Sequence, residues 1–133
     1  MAVTIERLDH FVLNVTDVEE AAAWYQRVLG FERTSFGPQG RTALRYGPHK
    51  INLRPHNLTQ EEWFAAHDCS PGTHDVAFVT SATPEEVAAH LTAQGVQIVR
   101  GPIDTHGALG PIRSVYCRDP DGNLIEFAHY PNR

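Results

Sequence analysis

Residues 8–31 read LDHFVLNVTDVEEAAAWYQRVLGF, and the change of rhythm inside this stretch decides the fold. From Leu8 to Val15 the side chains alternate, with Phe11, Leu13 and Val15 on one face and Leu8, His10, Val12 and Asn14 on the other, the period of a half-buried strand. Thr16-Asp17-Val18-Glu19 then has the form of a capping box, and Val18, Ala21, Ala22, Tyr25, Val28 and Leu29 recur at helical spacing. Gly30 supplies a left-handed stop. Working outward, the pattern predicts three short strands, residues 31–36, 42–46 and 50–54, separated by the turn groups GPQG and GPH.

The same order then recurs. THDVAFVT, residues 73–80, reads as a strand, Thr83-Pro84-Glu85-Glu86 as a second capping box with proline in the first turn, and Gly95 as a second stop. His10 and His74 lie 64 residues apart and Gly30 and Gly95 lie 65 apart, an offset that points to an internal duplication. Strands are expected at 96–100, 112–118 and 123–130, the last two joined by DPDG, a turn in which Asp119 and Asp121 make Asx-type bonds. The glycine-rich segment 101–110 reads as a mobile cavity lid. Residues 55–72 read as a linker with a short helix near 57–64, anchored by Trp63 and Phe64.

Composition bounds the function. At 133 residues with 41% hydrophobic and 20% charged residues, the chain has the profile of one globular domain with a real core. No apolar run approaches membrane-spanning length, and the first residues lack the pattern of a secretory leader, so the cytoplasm is the expected location. A net charge of −5 provides no basic field for nucleic acid. Cys69 and Cys117 have no metal-knuckle or disulfide spacing.

LDHFVLNV, the helix ending WYQRVLGF, GTHDVAF and the closing RDPDGNLIEF together resemble the vicinal-oxygen-chelate superfamily of glyoxalases, bleomycin-resistance proteins and ring-cleaving dioxygenases. KINLRP and GPIRSVYCRDPDGNLIE are most similar to the group called glyoxalase domain-containing protein 5. The resemblance implies an α+β fold of two βαβββ modules, residues 5–54 and 73–130, joined by the linker 55–72, with curled mixed sheets around a metal-binding cavity. It also implies a homodimer and a small-molecule substrate.

On this reading His10, His74 and Glu126 each sit near the centre of a strand and face inward. Two imidazoles and one carboxylate form a facial triad for one divalent ion, Fe2+, Mn2+, Ni2+ or Zn2+, with positions open for a chelating substrate. Glu126 is also the expected catalytic base. Asn52 stands where a glyoxalase I pattern keeps a carboxylate, which disfavours that isomerisation. Asn52, Arg54, Ser114 and Tyr116 are expected to meet substrate, Arg54 at the cavity rim. The remaining histidines are expected to be solvated. Ligand set and resemblance favour dioxygenase-type chemistry on vicinal oxygens, with a glyoxalase-type lyase or isomerase, or a metal-free drug-binding protein, as alternatives.

Overall fold

The computed structural model describes residues 3–132. Ten elements follow in chain order: β1 His10–Val15, α1 Val18–Leu29, β2 Glu32–Phe36, β3 Arg41–Tyr46, β4 His49–Pro55, β5 Asp75–Val79, α2 Pro84–Ala93, β6 Arg100–Gly107, β7 Gly110–Arg118 and β8 Leu124–His129. They form two four-stranded mixed sheets, β1-β4-β3-β2 and β5-β8-β7-β6. The α+β architecture of two βαβββ modules is therefore present. In each, the first and last strands are parallel neighbours, β1 with β4 and β5 with β8, as a strand-helix-strand crossover requires.

Local chemistry explains the element ends. α1 is capped by Asp17, whose carboxylate accepts from the Glu20 amide at 3.0 Å, so the expected Thr16 cap is displaced by one residue. The acid wins because its carboxylate interacts more strongly than a hydroxyl with the positive helix start. Gly30 closes the helix at φ 73°. α2 has the expected reciprocal box: the Glu86 amide donates to Thr83 Oγ1 at 3.2 Å and the Thr83 amide to Glu86 Oε1 at 2.9 Å.

The segment expected to be a lid is instead most of a strand. β6 pairs antiparallel with β7 from Ile103↔Ser114 to Gly107↔Gly110. The glycines serve backbone geometry: Gly101 sits at φ 98°, where an added Cβ would lie 2.4 Å from the Ser114 carbonyl oxygen. In place of the expected short helix the linker has a turn closed by the Trp63 amide on the Thr59 carbonyl at 3.0 Å. Trp63 is buried as an anchor, whereas Phe64 is 87% exposed, so only one of the two expected anchors holds.

One apolar core serves both modules. Leu13, Val15, Tyr25, Val28, Ile51 and Leu53 from the first module cluster with Val87, Leu91, Val115, Cys117 and Ile125 from the second. Phe78 of β5 places its edge against Phe31 and Tyr46 at centroid distances of 5.3 and 5.5 Å, an aromatic geometry favoured by ring quadrupoles. Because each sheet gives its helix-bearing face to this core, its other face is left for chemistry. Among the described residues no helix is long and apolar enough to cross a membrane.

Candidate functional site

Strand register fixes which residues share the two remaining faces. In the first sheet Val12 pairs with Asn52 and Asn14 with Arg54, so His10, Asn52 and Arg54 lie on one face, opposite Leu13 and Ile51 of the core. In the second, Asp75 pairs with Leu124, Ala77 with Glu126 and Tyr116 with Glu126. Asp75, Tyr116 and Glu126 therefore share a wall, which bounds a groove of about 510 Å³ also lined by Arg100, Thr105 and Arg118.

Glu126 is partly buried in this groove and held by a hydroxyl. Ser114, with no exposed surface, donates to Glu126 Oε2 at 2.6 Å. The Tyr116 hydroxyl has its pKa raised by burial first and then by the nearby Glu126 carboxylate. Ser114 thus acts on Glu126 itself. No arginine forms an ion pair with Glu126 or Asp75 among the described residues.

His10 is half-exposed and its Nδ1 lies 2.7 Å from Asp9 Oδ2. A carboxylate there keeps the ring proton on Nδ1 and leaves the Nε2 lone pair free, the orientation that metal-ligating imidazoles adopt. The same bond is the leading cause holding the Asp9 carboxyl below its ordinary range.

Three other expected placements differ. His74 lies just before β5, and its parity is that of Val76 and Phe78, which pair with core residues Ile125 and Phe127 rather than with Glu126. Its ring stacks on Phe11 at 5.9 Å, and its buried Nδ1 has no hydrogen-bond partner among the described residues. Arg54 has no exposed surface and is not at a rim; it donates to the carbonyls of Leu58 at 2.8 Å and Trp63 at 3.0 Å and to Asn14 Oδ1 at 2.9 Å. A buried guanidinium needs acceptors, and the linker wraps round to provide them. His90, expected in solvent, meets the Val28 carbonyl at 2.7 Å. Asn52 is 4% exposed and its Oδ1 has no hydrogen-bond partner among the described residues.

One hydrogen-bond network behind the site escaped the sequence reading. Asp119 accepts from the Tyr25 hydroxyl at 2.7 Å and from Asn123 Nδ2 at 2.8 Å, and Asn123 Oδ1 accepts from the His74 amide at 2.8 Å. The Leu124 amide donates back to the His74 carbonyl at 3.0 Å. The DPDG turn thus clamps the head of β5. The turn was legible; its cross-module partner Tyr25 was not, because nothing local marks a contact 94 positions away.

Within one chain, no three ligating side chains gather among the described residues. His10 stands on one sheet and Glu126 on the other. A larger apolar cleft of about 660 Å³ lies between the modules, but two of its polar groups are occupied, Glu86 by its helix cap and His90 by a carbonyl. The groove at Glu126 is therefore the better seat for chemistry.

Residues 7–127 match the glyoxalase/bleomycin resistance protein/dioxygenase superfamily. The chain belongs to this superfamily. Among its relatives in the superfamily is virulence protein STM3117 of Salmonella typhimurium, 42% identical over 126 residues, 95% of this chain and 85% of that protein. The crystal structure of that protein superposes with a TM-score of 0.90. Glyoxalase domain-containing protein RDO1 of Mycosarcoma maydis is 41% identical over 96% of this chain and 70% of its own length. An integron cassette protein of V. cholerae is 41% identical with a TM-score of 0.91, covering 98% of this chain and 99% of its own.

Proposed function

We propose that this superfamily member is a metal-dependent enzyme of dioxygenase type, acting on a small substrate that chelates one divalent ion through vicinal oxygens. The observation that carries the reading is Glu126: a partly buried carboxylate, fixed by Ser114 at 2.6 Å, in a groove that it lines together with Asp75. A partly buried carboxylate in an open groove is a natural donor to a bound metal ion.

The residues present fit that ion. His10 offers an oriented imidazole nitrogen, Glu126 a carboxylate, and the head of β5 a third donor, with Fe2+, Mn2+, Ni2+ or Zn2+ as candidates. When bound, the metal supplies a Lewis acid with positions open to two substrate oxygens. Glu126, lining the groove, accepts a substrate proton, and the Ser114 hydroxyl holds it in position while it does so. Asn52 cannot take up a proton, so one base acts rather than two, which separates this site from glyoxalase I-type isomerisation.

Because His10 and Glu126 stand on different sheets, we place the complete site between two copies of the chain, in a cytoplasmic homodimer. β1 and β5 end their sheets, and Val79 at 64% exposure and Leu8 at 69% lie nearby, apolar surface that a second copy would cover. Sedimentation of the purified protein, element analysis, and an anaerobic Fe(II) add-back with catechol and α-hydroxycarbonyl substrates test the proposal together. A metal-free monomer that turns over none of them refutes it. A metal-free dimer that binds aromatic drugs would instead establish a sequestering protein.

A further inference from the structure

We propose that the substrate of the Glu126 groove carries a carboxylate, and that Arg100 and Arg118, both adjacent to Tyr116, are the specificity-determining residues that bind it. The ligand class this selects is a small hydroxycarboxylate. The proposal deepens the reading above and rests on this groove being the substrate site.

Register places both guanidinium-bearing residues. Arg118 follows Tyr116 by two positions on β7, so the two turn to the same face. Arg100 is the cross-strand partner of Tyr116 on β6, and Tyr116 is in turn the partner of Glu126 on β8. Glu126, Tyr116 and Arg100 thus form one row across three strands, with the backbone of Arg100 two strand spacings, about 10 Å, from that of Glu126. An unbroken strand would not give this row its basic end. Arg100 and Ile103 are three positions apart, which in a regular strand puts them on opposite faces, yet both line the groove. The register shifts between them, so that Gly101 and Pro102 together stand opposite Val115, and this bulge re-aims Arg100 into the groove.

Charge in the groove is divided by strand, with Asp75 on β5 and Glu126 on β8 facing Arg118 on β7 and Arg100 on β6. Among the described residues neither arginine joins an ion pair. Arg118 gives one donor to the Gly122 carbonyl at 3.2 Å, and a guanidinium has about five. Arg100 acts at the Tyr116 hydroxyl: burial and then Glu126 raise the pKa of that group, and the Arg100 charge opposes them. Two guanidinium forks around one phenol match the planar face of an oxyanion. Glu126, on the other half of the groove, is left to accept from a hydroxyl of the same ligand. Because two acidic side chains repel a dianion more than a monoanion, a carboxylate suits this groove better than a phosphate. Val99, Ile103 and Leu124 line the remaining wall and admit a short apolar body.

The test is an NMR titration of isotope-labelled protein with lactate and mandelate, with their neutral amides, and with inorganic phosphate, each with and without added Mn(II). Wild type is compared with Arg100→Gln, Arg118→Gln, the double variant, and Arg45→Gln, which alters an exposed arginine of β3 outside the groove. Arg100 and Arg118 are exposed too, and circular dichroism checks that each variant is folded. Wild type should bind at least one of the acids about tenfold more tightly than its amide, and each groove variant should lose about tenfold in affinity for that acid. The double variant should bind acid no better than amide, while Arg45→Gln matches wild type. Equal affinity of wild type for acid and amide, binding of neither acid, or a loss in Arg45→Gln equal to that in the groove variants overturns the proposal. Tighter binding of phosphate than of either acid overturns the choice of a carboxylate. Divalent-ion content measured on the same samples separates the two readings. A metal-bound protein without arginine-dependent acid binding refutes the carboxylate subsite alone, and a metal-free protein with it refutes the metal dependence alone.

Discussion

Tyr25→Phe isolates the bond that ties the two modules together. The hydroxyl donates to Asp119 Oδ2 at 2.7 Å, and with Tyr25 1% and Asp119 6% exposed no bulk water can replace it. Asp119 keeps three other donors, the Asp121 and Asn123 amides at 2.9 Å and Asn123 Nδ2 at 2.8 Å, so the carboxylate is weakened rather than abandoned. A hydrogen bond to a charged group contributes about 1.5–3 kcal/mol, and phenylalanine fills the same ring volume, so we expect a loss of about 2 kcal/mol. For a domain of this size that lowers Tm by about 6–10 °C. Urea unfolding followed by tryptophan fluorescence and circular dichroism measures it, with Asp119→Asn and the double variant completing a cycle. A destabilisation under about 0.5 kcal/mol, or a cycle with no coupling, would show that the turn amides alone satisfy Asp119 and that Tyr25 does not join the modules.

Three further outcomes follow from the described contacts. Burial pushes the Cys117 thiol up to about 12 from about 8.5 in an unfolded chain; the folded state holds that proton more tightly, so this stability is present below about pH 8.5 and is lost as pH rises toward 12. Urea midpoints should fall across that window, less so in Cys117→Ala, and an unchanged slope in that variant refutes the attribution. Arg54→Met should cost about 3 kcal/mol or more by stranding buried acceptors and should open the linker to protease between residues 56 and 72; resistance equal to wild type would show that Trp63 alone pins it. Asn52→Ala should keep the divalent ion with an affinity loss under about tenfold, because a neutral amide oxygen is the weakest donor present, whereas loss as complete as in Glu126→Gln would make it an obligate ligand.

Strong periodic signals were legible in the sequence. The switch from alternation to helical spacing at Thr16, the stops at Gly30 and Gly95 and the box at Thr83 each depend on neighbours within a few residues, and each has its structural counterpart within one position. What depended on distant partners was not. Segment 101–110 looked like a loop by composition, but pairing with β7 makes strand of it. Arg54 looked available by parity, yet the linker's carbonyls enclose it. His74 looked inward because its spacing matched His10, and only the pairing with β8 reveals which face β5 turns to the groove.

The single core shared by the two modules bears on how the repeat is preserved. Once Phe78 lies against Phe31 and Tyr46, an enlarged side chain in one half can be balanced by a reduced one in the other, so apolar identities are free to drift apart. A strand cannot slip by one residue without inverting its faces. The parallel pairings of β1 with β4 and β5 with β8 are thus the conservative part of the inheritance, legible after the letters have diverged.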